Sequence, residues 1–302
     1  MAQGTIRNRV FSEMELLEQI KRLAVVAMFS DSALEELLVL KGGNAIDLVH
    51  KLSARASVDI DFSMQADLPE ALPAFRDRVE LALQGTFRPE GLEVFDVRLA
   101  AKPEVVTADL AEFWGGYAVE FKVIRKETFD MHADDVDALR RNALQIGRGK
   151  KFLIDISRFE YINGKESQYL DGYRIFVYSP VMIVCEKLRA ICQQMPEYGE
   201  IVKRNRQGSP RARDFLDISI LAKAKEISFS ERENRDLLAL IFDAKRVPLA
   251  LLGRIRESRE FHRTDFPAVI ATVKIGMDVE EFDYYFDFVL ELIDRLKAFG
   301  DE

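Results

Sequence analysis

Apolar residues recur along the chain with two periods, and each period predicts its own kind of element. Over residues 12–29, Leu16, Leu17, Ile20, Leu23 and Ala24 form one stripe at helical spacing, with Ser12 and Glu15 in a capping-box pattern at its start. A turn at Ser30-Asp31-Ser32 leads to a second short helix and then to an apolar strand at residues 38–41. After Gly42-Gly43 the helical spacing returns in Ala45, Leu48, Val49 and Leu52. It then gives way to alternation, with Val58, Ile60 and Phe62 set against Asp59, Asp61 and Ser63.

The same reading continues downstream. Asp67-Leu68-Pro69 opens a helix predicted over residues 69–84, followed by strands at 92–100 and 117–125. In the second of these, Tyr117, Val119, Phe121 and Val123 alternate with Ala118, Glu120, Lys122 and Ile124, behind a turn or bulge at Gly115-Gly116. Residues 132–146, acidic and then helical, cross over to a strand at 151–158, where Phe152, Ile154 and Ile156 share one face and Leu153, Asp155 and Ser157 the other. Asn163-Gly164 is a type I′ hairpin signal, and a strand at 173–178 closes this half.

From Ser179-Pro180, a serine cap before a proline at the first helical position, every segment reads helical. Val181, Val184, Leu188 and Ile191 make the first stripe, and a basic loop at 199–213 follows. Gly208-Ser209-Pro210 caps the next helix, Ser230 the one after, to about residue 243, and Pro248 opens another. A last helix is predicted over 278–299, with Phe282, Tyr285, Phe286, Val289, Leu290, Ile293 and Leu296 inward. The fold expected is α/β (α+β): a mixed-sheet domain over residues 1–178, then an all-helical domain over 179–302 that contributes to a cleft between them.

Composition narrows the class. The 302 residues, 48% hydrophobic and 31% charged, suit one large or two ordinary globular domains. The longest apolar run near the start, Leu23 to Phe29, is too short to span a bilayer, and the N-terminus does not read as a signal peptide. The expectation is therefore a cytoplasmic protein without a membrane partner. Cys185 and Cys192 sit seven residues apart on one predicted helix, too far apart for a disulfide, and His50, His132 and His262 show no zinc spacing. A net charge of −8 argues against a uniformly basic nucleic-acid binder but leaves RNA open, because binding depends on where the charge sits.

The chemistry concentrates in residues 40–62. Asp59 and Asp61 share a strand face, and two carboxylates that close repel unless a proton or cation lies between them. Hard oxygen ligands suit magnesium, or manganese, bound through one or two carboxylates together with substrate phosphates. Gly42-Gly43 permits close backbone approach, and the start of the following helix favours phosphate. A glycine turn for phosphate followed by a carboxylate pair for metal is a layout for nucleotidyl transfer.

Lys41-Gly42-Gly43-Asn44-Ala45 followed by Arg55-x-Ser57-x-Asp59-Ile60-Asp61-Phe62 resembles the nucleotidyltransferase toxins of the AbiEii/AbiGii abortive-infection family, in the polymerase-beta-like superfamily. The family usually carries threonine where this chain has Asn44. Glu186-Lys187-Leu188-Arg189-Ala190 resembles its Glu-Lys-Leu-x-Ala helix, and Arg211-Ala212-Arg213-Asp214-Phe215-Leu216-Asp217-Ile218 its Arg-Asp motif.

The resemblance implies a nucleoside triphosphate held by Lys41, Gly42, Gly43, Asn44, Arg55, Ser57 and Lys187. It implies magnesium on Asp59, Asp61 and a third strand carboxylate, Asp155, with Lys187 at the phosphates and Asp214 in the active site. Asp217 reads as a helix ion pair with Arg213. The implied activity is transfer of a nucleotide to an acceptor, the 3′ end of tRNA in some relatives, by the toxin of a type IV toxin–antitoxin pair whose antitoxin is encoded nearby. Lys203, Arg204, Arg206, Arg211 and Arg213 read equally as an RNA contact or as a solvated loop. Two alternatives stay open: a same-fold enzyme acting on a protein or small molecule, and a non-catalytic nucleotide- or RNA-binding module.

Overall fold

The structure, a computed structural model, describes residues 2–55, 59–145, 149–274 and 276–297, with side chains from Met14 to Leu296. Seven strands form one mixed sheet: β1 (Val39–Lys41), β2 (Ile60–Ser63), β3 (Leu92–Lys102), β4 (Gly116–Arg125), β5 (Phe152–Ser157), β6 (Lys165–Leu170) and β7 (Tyr173–Tyr178). Their spatial order is β3-β4-β5-β2-β1-β7-β6. β1 is antiparallel to β2 and parallel to β7, and β2 is parallel to β5. The centre of the sheet therefore joins segments far apart in the chain.

Strand alternation fixes which face is core. In β5, Phe152, Ile154 and Ile156 are buried, while Leu153, Asp155 and Ser157 are only half-buried. Beside it Ile60 and Phe62 are buried as well. Phe62 meets Phe29 with ring centroids 5.9 Å apart, and Phe121 meets Phe87 at 6.2 Å, which seats helices Ala2–Ser30 and Leu72–Phe87 on the apolar face. The opposite face carries Asp61 and Asp155.

Helix Pro180–Cys192 starts where Ser179 accepts from the Met182 amide, as the cap signal predicts. It is buried on nearly all sides, beyond the one stripe expected, because helices Ala212–Ala224 and Arg232–Asp243 both pack on it. Phe215 stacks on Phe286 of helix Phe282–Lys297 at 5.0 Å, closing the helical part.

Several expected boundaries move. The first helix runs from Ala2, so the capping pattern at Ser12 lies inside it; the Ser12 side chain falls outside the described set. Pro73 sets the next long helix to Leu72–Phe87 instead of 69–84, because proline fits the first turn best. Of residues 132–146 those described, up to 145, hold the short helix Val136–Asn142, behind Lys126–Met131. Asn163-Gly164 makes a turn, with the Lys165 amide on the Ile162 carbonyl, but joins no paired strands. The hairpin turn is Asp171-Gly172, where both residues take positive φ (52° and 84°), as a type I′ turn requires. Ser230 does not cap its helix; its hydroxyl pairs with that of Ser228. Pro248 does precede a helix, but one of 3-10 type, Leu249–Ser258, followed by the short helices Arg259–Arg263 and Phe266–Ile270. The basic loop loses residues 199–201 to helix Pro196–Ile201.

Candidate active site

The site begins where β1 ends. Lys41 stands opposite Asp61 in the antiparallel register, and the chain then turns at Gly42 with φ +68°. A Cβ on Gly42 would lie 2.6 Å from Asp61 Oδ2, so the glycine supplies both the left-handed conformation and the room for the carboxylate. Asn44 is fully buried, and its Nδ2 donates to the Asp59 backbone carbonyl at 2.5 Å. Its amide nitrogen thus fixes the chain entering β2, while Oδ1 has no hydrogen-bond partner among the described residues. Gly42→Ala should cost about 2 kcal/mol or more through forced positive φ and the clash. Denaturant unfolding checks the stability, and a fall in nucleotide binding in the same variant checks the site.

β2 and β5 place Asp61 directly beside Asp155 in parallel register. Asp59 precedes the strand and is exposed. Burial pushes the Asp61 carboxyl up to about 6; Lys41 works against the shift, and Glu186, Asp155 and Asp59 reinforce it. A carboxylate so placed gains from any cation that enters. Among the described residues no three acidic, histidine or cysteine side chains converge on one point as placed. Two neighbouring carboxylates lining one cleft nevertheless fit magnesium, which keeps waters and substrate phosphates as its remaining ligands. Lys102 Nζ lies 2.7 Å from Asp155 Oδ1.

Beneath the acids lies a buried charge network that the sequence reading did not find. Glu160 accepts from Arg189 at 2.7 and 3.1 Å and lies 3.6 Å from both Lys41 and Lys245. Lys41 also donates to Ser157 Oγ at 3.1 Å and lies 3.6 Å from Glu186. Burial alone would raise Glu160 and lower Lys41, but the opposite charges prevail. Glu160 stays below, and Lys41 above, its ordinary range. For Lys245 burial wins, bringing its ammonium down to about 8. The available signal was the i, i+3 spacing of Glu186 and Arg189, which puts both on one helix face and Lys187 on another.

Lys187 is placed otherwise than expected. It is 4% exposed and lies 2.8 Å from both Asp214 and Asp217, so its ammonium is enclosed by protein carboxylates. Asp214, fully buried, also accepts from Arg211, and stays ionised against its burial because of Arg211 and Lys187. Asp217 does not pair with exposed Arg213; it takes both Lys187 and Arg55, the latter in a fork at 3.2 and 2.8 Å. The helix turns Asp217 inward, towards the segment before β2 and away from solvent. Arg55 is thereby tied to protein, and Ser57 lies outside the described residues. Arg211 feels Glu186 and Asp61 as well as Asp214, so this cluster adjoins the acids. The helix after Gly208-Ser209-Pro210 has Arg211 at its N-cap and no side-chain cap; His262, buried and held near 4 by burial, accepts the Arg211 amide on Nδ1.

A cleft of about 600 Å³ joins the acids to the Glu160 network, lined by Lys41, Asp61, Asp155, Glu186, Arg189 and Lys245 among others. It draws on both the sheet and the helices after Tyr178. A second cavity, of about 760 Å³, shares Arg204 and Arg206 with it.

A mixed sheet with Asp61 and Asp155 paired beside a glycine turn, facing a helical half across a cleft, is a layout suited to nucleotidyl transfer. The chain belongs to the family described as nucleotidyl transferase AbiEii toxin, type IV toxin–antitoxin system, which matches residues 24–291. Such a system implies an antitoxin partner. MenT4, a nucleotidyltransferase toxin of Mycobacterium tuberculosis, has a similar fold: TM-score 0.51 over 96% of this chain and 85% of its own, at 15% identity. JHP933 of Helicobacter pylori aligns over 93% of this chain and 92% of its own, at 18% identity and a TM-score of 0.46. No curated protein matches the chain. Among the described residues no helix is long and apolar enough to cross a membrane.

Proposed function

We propose that the protein transfers a nucleoside monophosphate from a nucleoside triphosphate to the 3′ hydroxyl of an RNA, with tRNA as the acceptor, and depends on magnesium or manganese. The observation that carries this is the register pair Asp61 and Asp155 standing beside the Gly42 turn in a cleft walled by Lys41, Arg189 and Lys245. Asp59, Asp61 and Asp155 are the residues that would hold the ion. When bound, it supplies positive charge against the phosphates and the departing pyrophosphate. The chain's own part is positioning and charge. Gly42 leaves space for Asp61, Asn44 fixes Asp59, and the network on Glu160 sets three buried cations against Glu160 and Glu186, which leaves the ground beneath the cleft net positive. The acceptor oxygen bonds to the α-phosphorus as the bond to the β-phosphate oxygen breaks. Pyrophosphate leaves with that electron pair, and the hydroxyl proton passes to Asp155. Behind the cleft wall Asp217 holds Arg55, Asp214 holds Arg211, and Lys187 lies between the two carboxylates.

The neighbouring cavity supports RNA as acceptor. Lys203, Arg204, Arg206 and Arg254 line it beside Glu197, Glu200 and Glu257; Lys203 pairs with Asp109 and Arg254 with Glu197 and Glu257, while Arg206, at the junction with the cleft, has no ion-pair partner among the described residues. Unpaired arginine beside a second arginine suits a phosphodiester chain. tRNA as the target, and action as a cytoplasmic phage-defence toxin, rest on the family analogy.

The test is incubation with a divalent metal, each α-labelled nucleoside triphosphate in turn and total bacterial RNA. Label entering tRNA-sized RNA is expected, lost in Asp59→Ala/Asp61→Ala. Label on protein or a small molecule instead would replace RNA as the acceptor. No label on any acceptor, with nucleotide still bound, would make this a binding module.

A further inference from the structure

Most cations of the cleft are committed to groups beneath it. Lys41 serves Ser157, Glu160 and Glu186, Arg189 serves Glu160, and Lys245 donates to the carbonyls of Phe113 and Arg158. Lys102 differs. It is the last residue of β3, its side chain is 57% exposed, and its one partner among the described residues is Asp155. The path between them crosses β4 at small residues. Lys102 is opposite Gly116, and Asp155 is opposite Ala118, two positions along on the same face. Nothing larger than a methyl group stands in that row, so the lysine lies across the sheet with its ammonium on the carboxylate.

A carboxylate holding an ammonium is a poor ligand for a divalent ion and a poor proton acceptor, and either role for Asp155 requires the lysine to leave. An exposed lysine–carboxylate pair is weak enough to exchange. We propose that Lys102 is the exchangeable counter-cation of this site. It neutralises Asp155 before substrate arrives and moves onto the phosphate chain of the incoming nucleoside triphosphate when a divalent ion takes its place on Asp155. This assigns Lys102 a direct contact with substrate, and it rests on the nucleotidyl-transfer reading above. The exchange keeps the local charge balanced at each stage: one cation leaves Asp155 as another arrives, and the displaced ammonium meets the charge of the phosphates.

The test reads binding as well as turnover. Manganese binding to the full-length protein is followed by electron paramagnetic resonance, and binding of a non-hydrolysable nucleoside triphosphate in magnesium by calorimetry. Lys102→Met should bind manganese about three- to fivefold more tightly than wild type, the size expected for removing one exposed competing cation. It should bind the nucleotide roughly tenfold more weakly, having lost a charged phosphate contact. Lys102→Arg should stay near wild type in both. In Asp155→Asn, adding Lys102→Met should leave manganese affinity where Asp155→Asn alone put it. Unchanged or weaker manganese binding in Lys102→Met would overturn the proposal while leaving the transferase reading intact. If wild type binds neither manganese nor nucleotide, or binds manganese equally well as Asp61→Asn, the reading of the site fails and the proposal falls with it.

Discussion

Asp61→Asn should abolish nucleotide transfer, by at least about three orders of magnitude or ~4 kcal/mol of transition-state stabilisation, without unfolding the protein. The substitution keeps the shape of the side chain against Gly42 and removes the charge that draws a cation into the cleft. It should also raise stability at neutral pH. The Asp61 carboxyl titrates near 6 in the folded protein, above the ordinary 3.8, mainly because it is buried. Between those values the folded state holds a proton that the unfolded state has released, so stability falls as pH rises through this window. The loss, about 3 kcal/mol at most, is present at pH 7 in wild type and absent in Asp61→Asn. Denaturant unfolding at pH 4.5 and pH 7 checks the sign; an asparagine variant less stable than wild type at pH 7 would refute it. Metal and proton compete for the same oxygens, so metal affinity of the wild type should weaken as pH drops below about 6.

Glu160→Ala should give the largest loss of stability of any single change near the cleft, about 3–5 kcal/mol. The carboxylate is buried, and Arg189, Lys41 and Lys245 all look to it for their opposite charge. Removing it leaves three buried cations against Glu186 alone, which Arg189 and Lys41 approach only at 3.6 Å. Its titration has the opposite sign to that of Asp61. The Glu160 carboxyl is held below the ordinary 4.5 by those cations, so its contribution is complete above 4.5 and fades as pH falls below it. Thermal unfolding of wild type and Glu160→Ala from pH 3 to 7 should show the gap between them narrowing only on the acid side.

The fold is legible in the sequence where a single local pattern decides the outcome. The alternation in β5 put Asp155 on the face opposite Phe152, Ile154 and Ile156, and the parallel pairing with β2 brought it beside Asp61. Gly42 and Ser179-Pro180 were equally legible, because one conformation or one cap explains each. What stayed hidden depends on which distant segments meet. Lys187 and Asp217 lie on different helices, and Arg55 lies 162 positions before Asp217, so no spacing rule reveals that the three neutralise each other. Glu160 follows β5 in an irregular stretch without a period, and its partners come from β1, from helix Pro180–Cys192 and from the turn after Asp243. The hairpin was misplaced because Asn-Gly and Asp-Gly carry the same turn chemistry, and only strand pairing distinguishes Asn163-Gly164 from Asp171-Gly172.

The segment leading to β2 is anchored by parts of the chain made much later. Arg55 is forked onto Asp217 and bridges to Val273, and the Lys274 amide donates to the carbonyl of Ala54 at 2.8 Å. During synthesis on the ribosome the acidic strand therefore emerges long before its anchors do. A nascent chain, or one released early by a premature stop codon before residue 217, has its aspartates but lacks the late anchors of the residues ahead of them. Such fragments should be harmless to the cell that makes them, and toxicity should appear only once translation has passed the last of these anchors.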